Sequence, residues 1–169
     1  MFYGRKLEKV PKVLQREYPD RPILSVGAVV VHEGRVLLVR RGREPLKGKW
    51  SIPGGMLELG ESLAEGAARE VEEETGLKVS AIELIEVVDR IYRDAEGGRV
   101  RYHYVIADYL CRVVGGTLQA SSDADEVRWV EHSEWNSHSA LALEPITVRV
   151  IERGWQRARS LGWFSQESG

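Results

Sequence analysis

Between Gly55 and Leu77 the chain reads GMLELGESLAEGAAREVEEETGL, and no other stretch constrains the fold as tightly. Nine positions matter: Gly55, Glu61, Arg69, Glu70, Val71, Glu73, Glu74, Gly76 and Leu77. Ser62 and Glu65 have the spacing of a capping box, with Ser62 as N-cap. Leu63, Ala64, Ala67, Ala68 and Val71 form an apolar stripe at helical spacing. Gly76 falls where a left-handed C-cap residue is expected. The pattern predicts a helix over residues 63–75, entered from a Gly-rich turn.

On that helix Glu70, Glu73 and Glu74 stand at i, i+3 and i+4, so three carboxylates lie side by side. Arg69 offsets part of this repulsion through its i, i+4 relations to Glu65 and Glu73, but it cannot neutralise three acids. Oxygen donors with surplus negative charge suit Mg²⁺ or Mn²⁺. Glu70 and Glu74, one turn apart, form the best gripping pair for one ion. Glu73 is a further ligand or a partner of Arg69. The Gly54 carbonyl is another candidate donor, because a glycine backbone approaches closely. A bare E-x-x-E-E is more often a solvated acidic face. Joined to the glycines and Glu61 at set offsets, the pattern arises by chance at roughly 10⁻⁹ or less per window.

These residues match the signature G-x5-E-x7-R-E-U-x-E-E-x-G-U, with U apolar, at every specified position. The chain therefore resembles the Nudix hydrolases. The likeness extends over residues 23–131, because the surrounding strands follow the family's layout. The resemblance implies an α/β/α sandwich with a mixed β-sheet between helices. It also implies that the matching residues Glu70, Glu73 and Glu74 carry metal and activate water. Which glutamate is the base varies among members. Arg69 is expected to orient the glutamates, through Glu61 or Glu73. Gly55, Glu61 and Gly76 support the site.

The rest of the chain fits one domain with an arm. Residues 1–21 are charged and punctuated by Pro11 and Pro19, and read as an N-terminal arm in which Val10, Val13 and Leu14 are apolar. Residues 22–169 read as the domain. Residues 23–32 are rich in β-branched residues and predict a strand, Glu33-Gly34 a turn, and residues 35–40 the returning strand of a hairpin. Residues 41–49 form a Gly/Pro/basic loop and 50–52 a short strand leading to a Pro53-Gly54-Gly55 turn. Residues 78–93 predict one long strand or a pair, 94–98 a turn, and 99–113 another strand. Gly115-Gly116 reads as a turn or bulge, residues 123–126 as an acidic loop, and 127–130 as a short strand. A last amphipathic helix begins near Pro145, which suits the N1 position, and carries Ile146, Val150, Ile151 and Trp155.

Composition narrows the function classes. A formal charge of −2 argues against a general nucleic-acid binder. The one cysteine, Cys111, excludes an intrachain disulfide and a cysteine-based zinc site, and reads as a small core residue. No run has the length and apolarity of a membrane span or a signal peptide, so the expected location is the cytoplasm, with no membrane partner.

Further site candidates lie outside the helix. Asp123, Asp125 and Glu126 are candidates for an additional loop ligand or base, Glu126 first among them; a solvated acidic turn explains any one of them as well. Arg40, Arg41 and Arg43, with Lys47 and Lys49, form a basic patch able to meet a substrate phosphate, with a plain solvated loop as the alternative. In Tyr102-His103-Tyr104, His103 and Tyr104 take opposite faces of the strand, and one side could stack a base or ribose. Core packing is the competing explanation, and it is also the expectation for Trp50.

The segments Arg21-Pro22, Lys49 to Gly55 and Tyr102 to Tyr104 resemble the bacterial ADP-ribose pyrophosphatase-like branch of the family. That resemblance implies hydrolysis of a nucleoside diphosphate linked to another moiety, with ADP-ribose giving AMP and ribose 5-phosphate. A nucleoside triphosphate pyrophosphohydrolase that removes oxidised nucleotides is the alternative, because the helix motif handles only the pyrophosphate. A non-catalytic Nudix-fold binding or regulatory protein is a third reading, usually accompanied by a degraded motif or a winged helix; here the motif is intact and residues 132–169 are too few for such a domain. The expected partner is a small-molecule nucleotide, and relatives are often dimers, so a homodimer is compatible with the chain.

Overall fold

The computed structural model describes residues 15–95, 98–121, 124–136 and 141–164. The elements run β1 (Ile23–His32), β2 (Arg35–Arg41), β3 (Trp50–Ser51), β4 (Gly54–Met56), α1 (Leu63–Thr75), β5 (Leu77–Arg93), β6 (Val100–Gly116), β7 (Ala124–Val130), α2 (His132–Asn136) and α3 (Pro145–Ser160). The strands make one mixed sheet in the order β3-β2-β1-β6-β5, with β4 pairing β1 and β7 pairing β2. β1 and β6 are parallel, and the other pairs are antiparallel.

β1 is central, and its sequence says why. A strand covered on both faces reads as an unbroken apolar run rather than an alternation, and residues 26–31 of VGAVVV are all buried. Ala28 and Val30 pack with Val71 of α1, while Val29 and Val31 pack with Val150 and Ile151 of α3. The helices thus cover opposite faces, giving the α/β/α sandwich.

α1 forms over residues 63–75 with both halves of the capping box in place: Glu65 N–H donates to Ser62 Oγ at 3.2 Å and Ser62 N–H to Glu65 Oε2 at 2.8 Å. Gly76 ends it with φ 72°. α3 starts at Pro145, where the missing N–H costs nothing.

Several boundaries differ from the expectations. Gly54 and Gly55 belong to the short strand β4, which pairs with Gly27 and Val26. Gly115 and Gly116 close β6 opposite Lys78 and Leu77 rather than forming a separate turn. The acidic loop is strand from Ala124 onward, because β2 offers a pairing edge from Val36 to Arg41. The helix α2, with Trp135 buried, was not expected. Of the arm, residues 15–21 are described; Tyr18 N–H donates to the Arg101 carbonyl at 2.7 Å, and Arg101 pairs with Glu17 at 2.6 Å. Val10, Val13 and Leu14, the candidate Asp123, and Glu96 and Gly97 of the expected turn lie outside the described residues.

Candidate active site

Arg69 organises the acidic face of α1. Its guanidinium takes Glu61 in a two-point grip, Nε to Oε2 at 2.9 Å and Nη2 to Oε1 at 2.7 Å. Nη1 donates to Glu70 Oε1 at 2.9 Å and Glu73 Oε2 at 3.1 Å, and Nη2 also reaches the Met56 carbonyl at 3.0 Å. Glu61 receives the Glu58 N–H as well, at 2.7 Å. The hydrogen bond from Arg69 holds the Glu61 carboxyl at about 2, against the smaller opposing effect of burial.

Glu70 and Glu74 reach the glycine strand. Glu74 Oε2 accepts the Gly54 N–H at 3.1 Å. The Glu70 carboxylate lies against Gly55 so closely that a Cβ at that position would overlap both of its oxygens, so only glycine lets the helix and β4 approach this far. Burial pushes the Glu70 carboxyl above its ordinary range, opposed by Arg69 and reinforced by the charges of Glu73 and Glu61.

Nudix hydrolases in general use divalent metal ions. The donors here suit one: they are hard oxygens, and Glu70 is half-buried with one guanidinium shared among three acids. They are gathered but not closed into a cage. Among the described residues, no three His, Cys, Asp or Glu side chains converge around a common point.

The glutamates open onto a cavity of about 380 Å³, within the size range of small-molecule sites. Arg41 and Arg43 of the basic loop line it, and so does Tyr104. Other candidates are not brought there. Arg40 does not line the cavity; it lies 3.7 Å from Glu126, across the β2–β7 ladder. Glu126 and Asp125 sit on β7, away from the cavity lining, so the structure does not bring them to the glutamates. Tyr102 is buried and packs parallel to Tyr104, with centroids 6.4 Å apart. His103 faces the other side, 3.9 Å from Asp89. Two of that trio therefore do not reach the cavity.

The opposite wall holds residues that motif reading missed. Arg90 of β5 bonds Glu144 and donates through Nη2 to Thr147 Oγ1 at 2.6 Å. Tyr92 donates its hydroxyl to Glu144 at 3.3 Å. Asp108 on β6 is 3 % exposed, and burial pushes its carboxyl up to about 7, with Arg90 lowering it and Glu86 raising it. The available signal was a lone acid in the apolar run VIADYLC. Trp50 and Ile52 pack against the α3-side core and also line the cavity. Cys111 is fully buried, which pushes its thiol up to about 12.

Comparison with known proteins identifies the family. The NUDIX domain profile matches residues 21–153. An ADP-ribose pyrophosphatase from Methanocaldococcus jannaschii is 30% identical over 76% of this chain and 73% of its own length. A MutT-like protein from Streptomyces ambofaciens is 36% identical over 79% of this chain and 78% of its own. The crystal structure of an ADP-ribose pyrophosphatase from Streptococcus suis superposes with a TM-score of 0.62 at 25% identity, covering 85% of this chain and 96% of that one. The chain belongs to the NUDIX family. It is a Nudix hydrolase acting on pyrophosphate bonds of nucleoside diphosphate derivatives. No helix among the described residues is long and apolar enough to cross a membrane.

Proposed function

We propose that the chain is a Mg²⁺- or Mn²⁺-dependent pyrophosphohydrolase that cleaves ADP-ribose to AMP and ribose 5-phosphate. The observation that carries this reading is the set of Glu70, Glu73 and Glu74, with Glu74 bonded to Gly54 and Glu70 packed on Gly55, lining a cavity of about 380 Å³. The names of two relatives support the choice of ADP-ribose.

Glu70 and Glu74 would hold the cation, with the Gly54 backbone beside them. Bound there, a divalent cation neutralises phosphate charge and lowers the pKa of water. Arg69 fixes the rotamers of Glu70 and Glu73, so the donors need little reorganisation. Arg41 and Arg43 meet the phosphate charge from the facing loop. A water oxygen attacks one phosphorus, and its proton passes to a carboxylate of the trio. The anhydride P–O bond then breaks, leaving AMP and ribose 5-phosphate. The buried, free Cys111 suits a reducing compartment such as the cytoplasm.

The test is a substrate panel with products identified by mass spectrometry under one metal condition. ADP-ribose is expected to lead in kcat/KM and to release AMP and ribose 5-phosphate. A tenfold preference for any nucleoside triphosphate, with release of inorganic pyrophosphate, would overturn the substrate. Full activity after exhaustive chelation would overturn the metal.

A further inference from the structure

Four residues stand in one row across four strands. Register places Gly54 of β4 opposite Gly27 of β1, Gly27 beside Asp108 of β6, and Asp108 opposite Glu86 of β5. Asp108 lies over Gly27 so closely that a Cβ on Gly27 would collide with its carboxylate. Its carboxylate therefore sits over the strand next to β4, about one strand spacing from Gly54.

The surroundings of Asp108 fit a base rather than a phosphate. A carboxylate repels phosphate, and the hydrolytic carboxylates with Arg41 and Arg43 already mark the phosphate end. Trp50, Ile52, Val88, Ile106 and Val150 supply apolar walls of the same cavity, suited to a flat ring. The nearby cation is engaged elsewhere: both Nη groups of Arg90 go to Glu144 and Thr147, and its buried Nε has no partner. Glu86, the other charged neighbour, pairs with Arg149 and Arg153. Asp108 is 3 % exposed and lines the cavity, and among the described residues no salt bridge reaches it. Burying a carboxyl this way costs stability, and a substrate N–H would offset that cost with a hydrogen bond.

We propose that Asp108 is the specificity-determining residue of this hydrolase, accepting a hydrogen bond from the exocyclic amine of an aminated purine. This rests on the nucleotide-hydrolase reading for its context, but it is tested by binding alone. A site built to bond a substrate N–H rejects the analogue lacking it. The leaving fragment AMP carries the amine; purine riboside 5′-monophosphate has hydrogen in its place.

The experiment measures binding of both nucleotides to the full chain by calorimetry, for the native protein, Asp108→Asn and Asp108→Leu. The native protein is expected to bind AMP at least tenfold tighter than the analogue. Asp108→Leu is expected to erase the difference by weakening AMP alone. Asp108→Asn, whose amide oxygen still accepts, is expected to keep most of it. Equal binding of the two nucleotides by the native protein overturns the proposal, as does undetectable AMP binding at millimolar concentration. So does a Leu variant that weakens both ligands alike, and these readings of the native protein hold even if that variant fails to fold. Discrimination in binding without hydrolysis of any nucleotide would sink the proposed activity and leave Asp108's role standing.

Discussion

Arg69 and Glu61 face each other as fork and fork: two parallel hydrogen bonds of 2.9 and 2.7 Å join a guanidinium on α1 to a carboxylate from the turn before it. The pair spans the helix entry, so it fixes the loop and the arginine together, and Arg69 passes that order to Glu70 and Glu73. Such bidentate, charge-assisted contacts are strong and directional.

Glu61→Gln is therefore expected to lower kcat by about 10–100-fold and stability at pH 7 by about 1–2 kcal/mol. The sign with pH is definite. The folded pKa of about 2 lies below the ordinary value of 4.5, so the contribution is present in full above 4.5 and is lost as pH falls towards 2. Thermal melts of the two proteins should converge over that window; a constant gap would refute the pairing.

Glu74→Gln should cut turnover by about 100-fold or more while changing stability by only a few tenths of a kcal/mol, because it removes one charge from a crowded acidic face. Kinetics at varied Mg²⁺ and a melting curve check this. A loss of only a few-fold with unaltered metal dependence would remove Glu74 from the ligand set.

Gly55→Ala places a methyl where the Glu70 carboxylate lies. The clash is expected to cost about 1–3 kcal/mol and, by displacing Glu70, roughly 100-fold in kcat. Activity close to that of the native protein would show that Glu70 can leave Gly55 without consequence.

Asp108→Asn should stabilise the free protein at pH 8. The Asp108 carboxyl titrates near 7 in the fold, against 3.8 ordinarily, so the native protein loses stability as pH rises between those values, while the amide does not. The groups facing it are Arg90, which lowers the value, and Glu86, which raises it. A Tm difference of several degrees is expected at pH 8 (on the order of 1–3 kcal/mol), shrinking towards zero near pH 4. Equal melting temperatures at pH 8 would refute this account of the buried carboxyl.

Local rules made α1 legible in the sequence: Ser62, Glu65 and Gly76 sit at both ends of the helix they cap. The hairpin of β1 and β2 was readable from Glu33-Gly34 for the same reason. Non-local pairing was not readable. Gly54 and Gly55 look like a turn until Val26 and Gly27 are known to lie beside them. The acids near Glu126 look like a loop until β2 supplies an edge. The pairing of Arg69 with Glu73 followed from i, i+4 spacing on one helix, whereas Glu61 reaches Arg69 from the turn before it. Placement of Asp108 depended on the parallel register of β1 and β6, which joins segments about 80 residues apart in sequence. Tyr102 and Tyr104 share a face, as period two requires, but burial of one beneath the other is a matter of packing.

The two helices flank β1 from opposite sides, and so do the two jobs of the cavity. The carboxylates proposed to hold the cation belong to α1, whereas Asp108, Arg90 and Thr147 line the cavity from β6, β5 and α3. The glycines of β1 and β4 lie between them: Gly27 against Asp108, and Gly55 against Glu70. If Asp108 reads the base as proposed, substitutions on the α3 side would retarget the enzyme while leaving the α1 carboxylates in place, and the glycine row is what any such redesign has to leave alone.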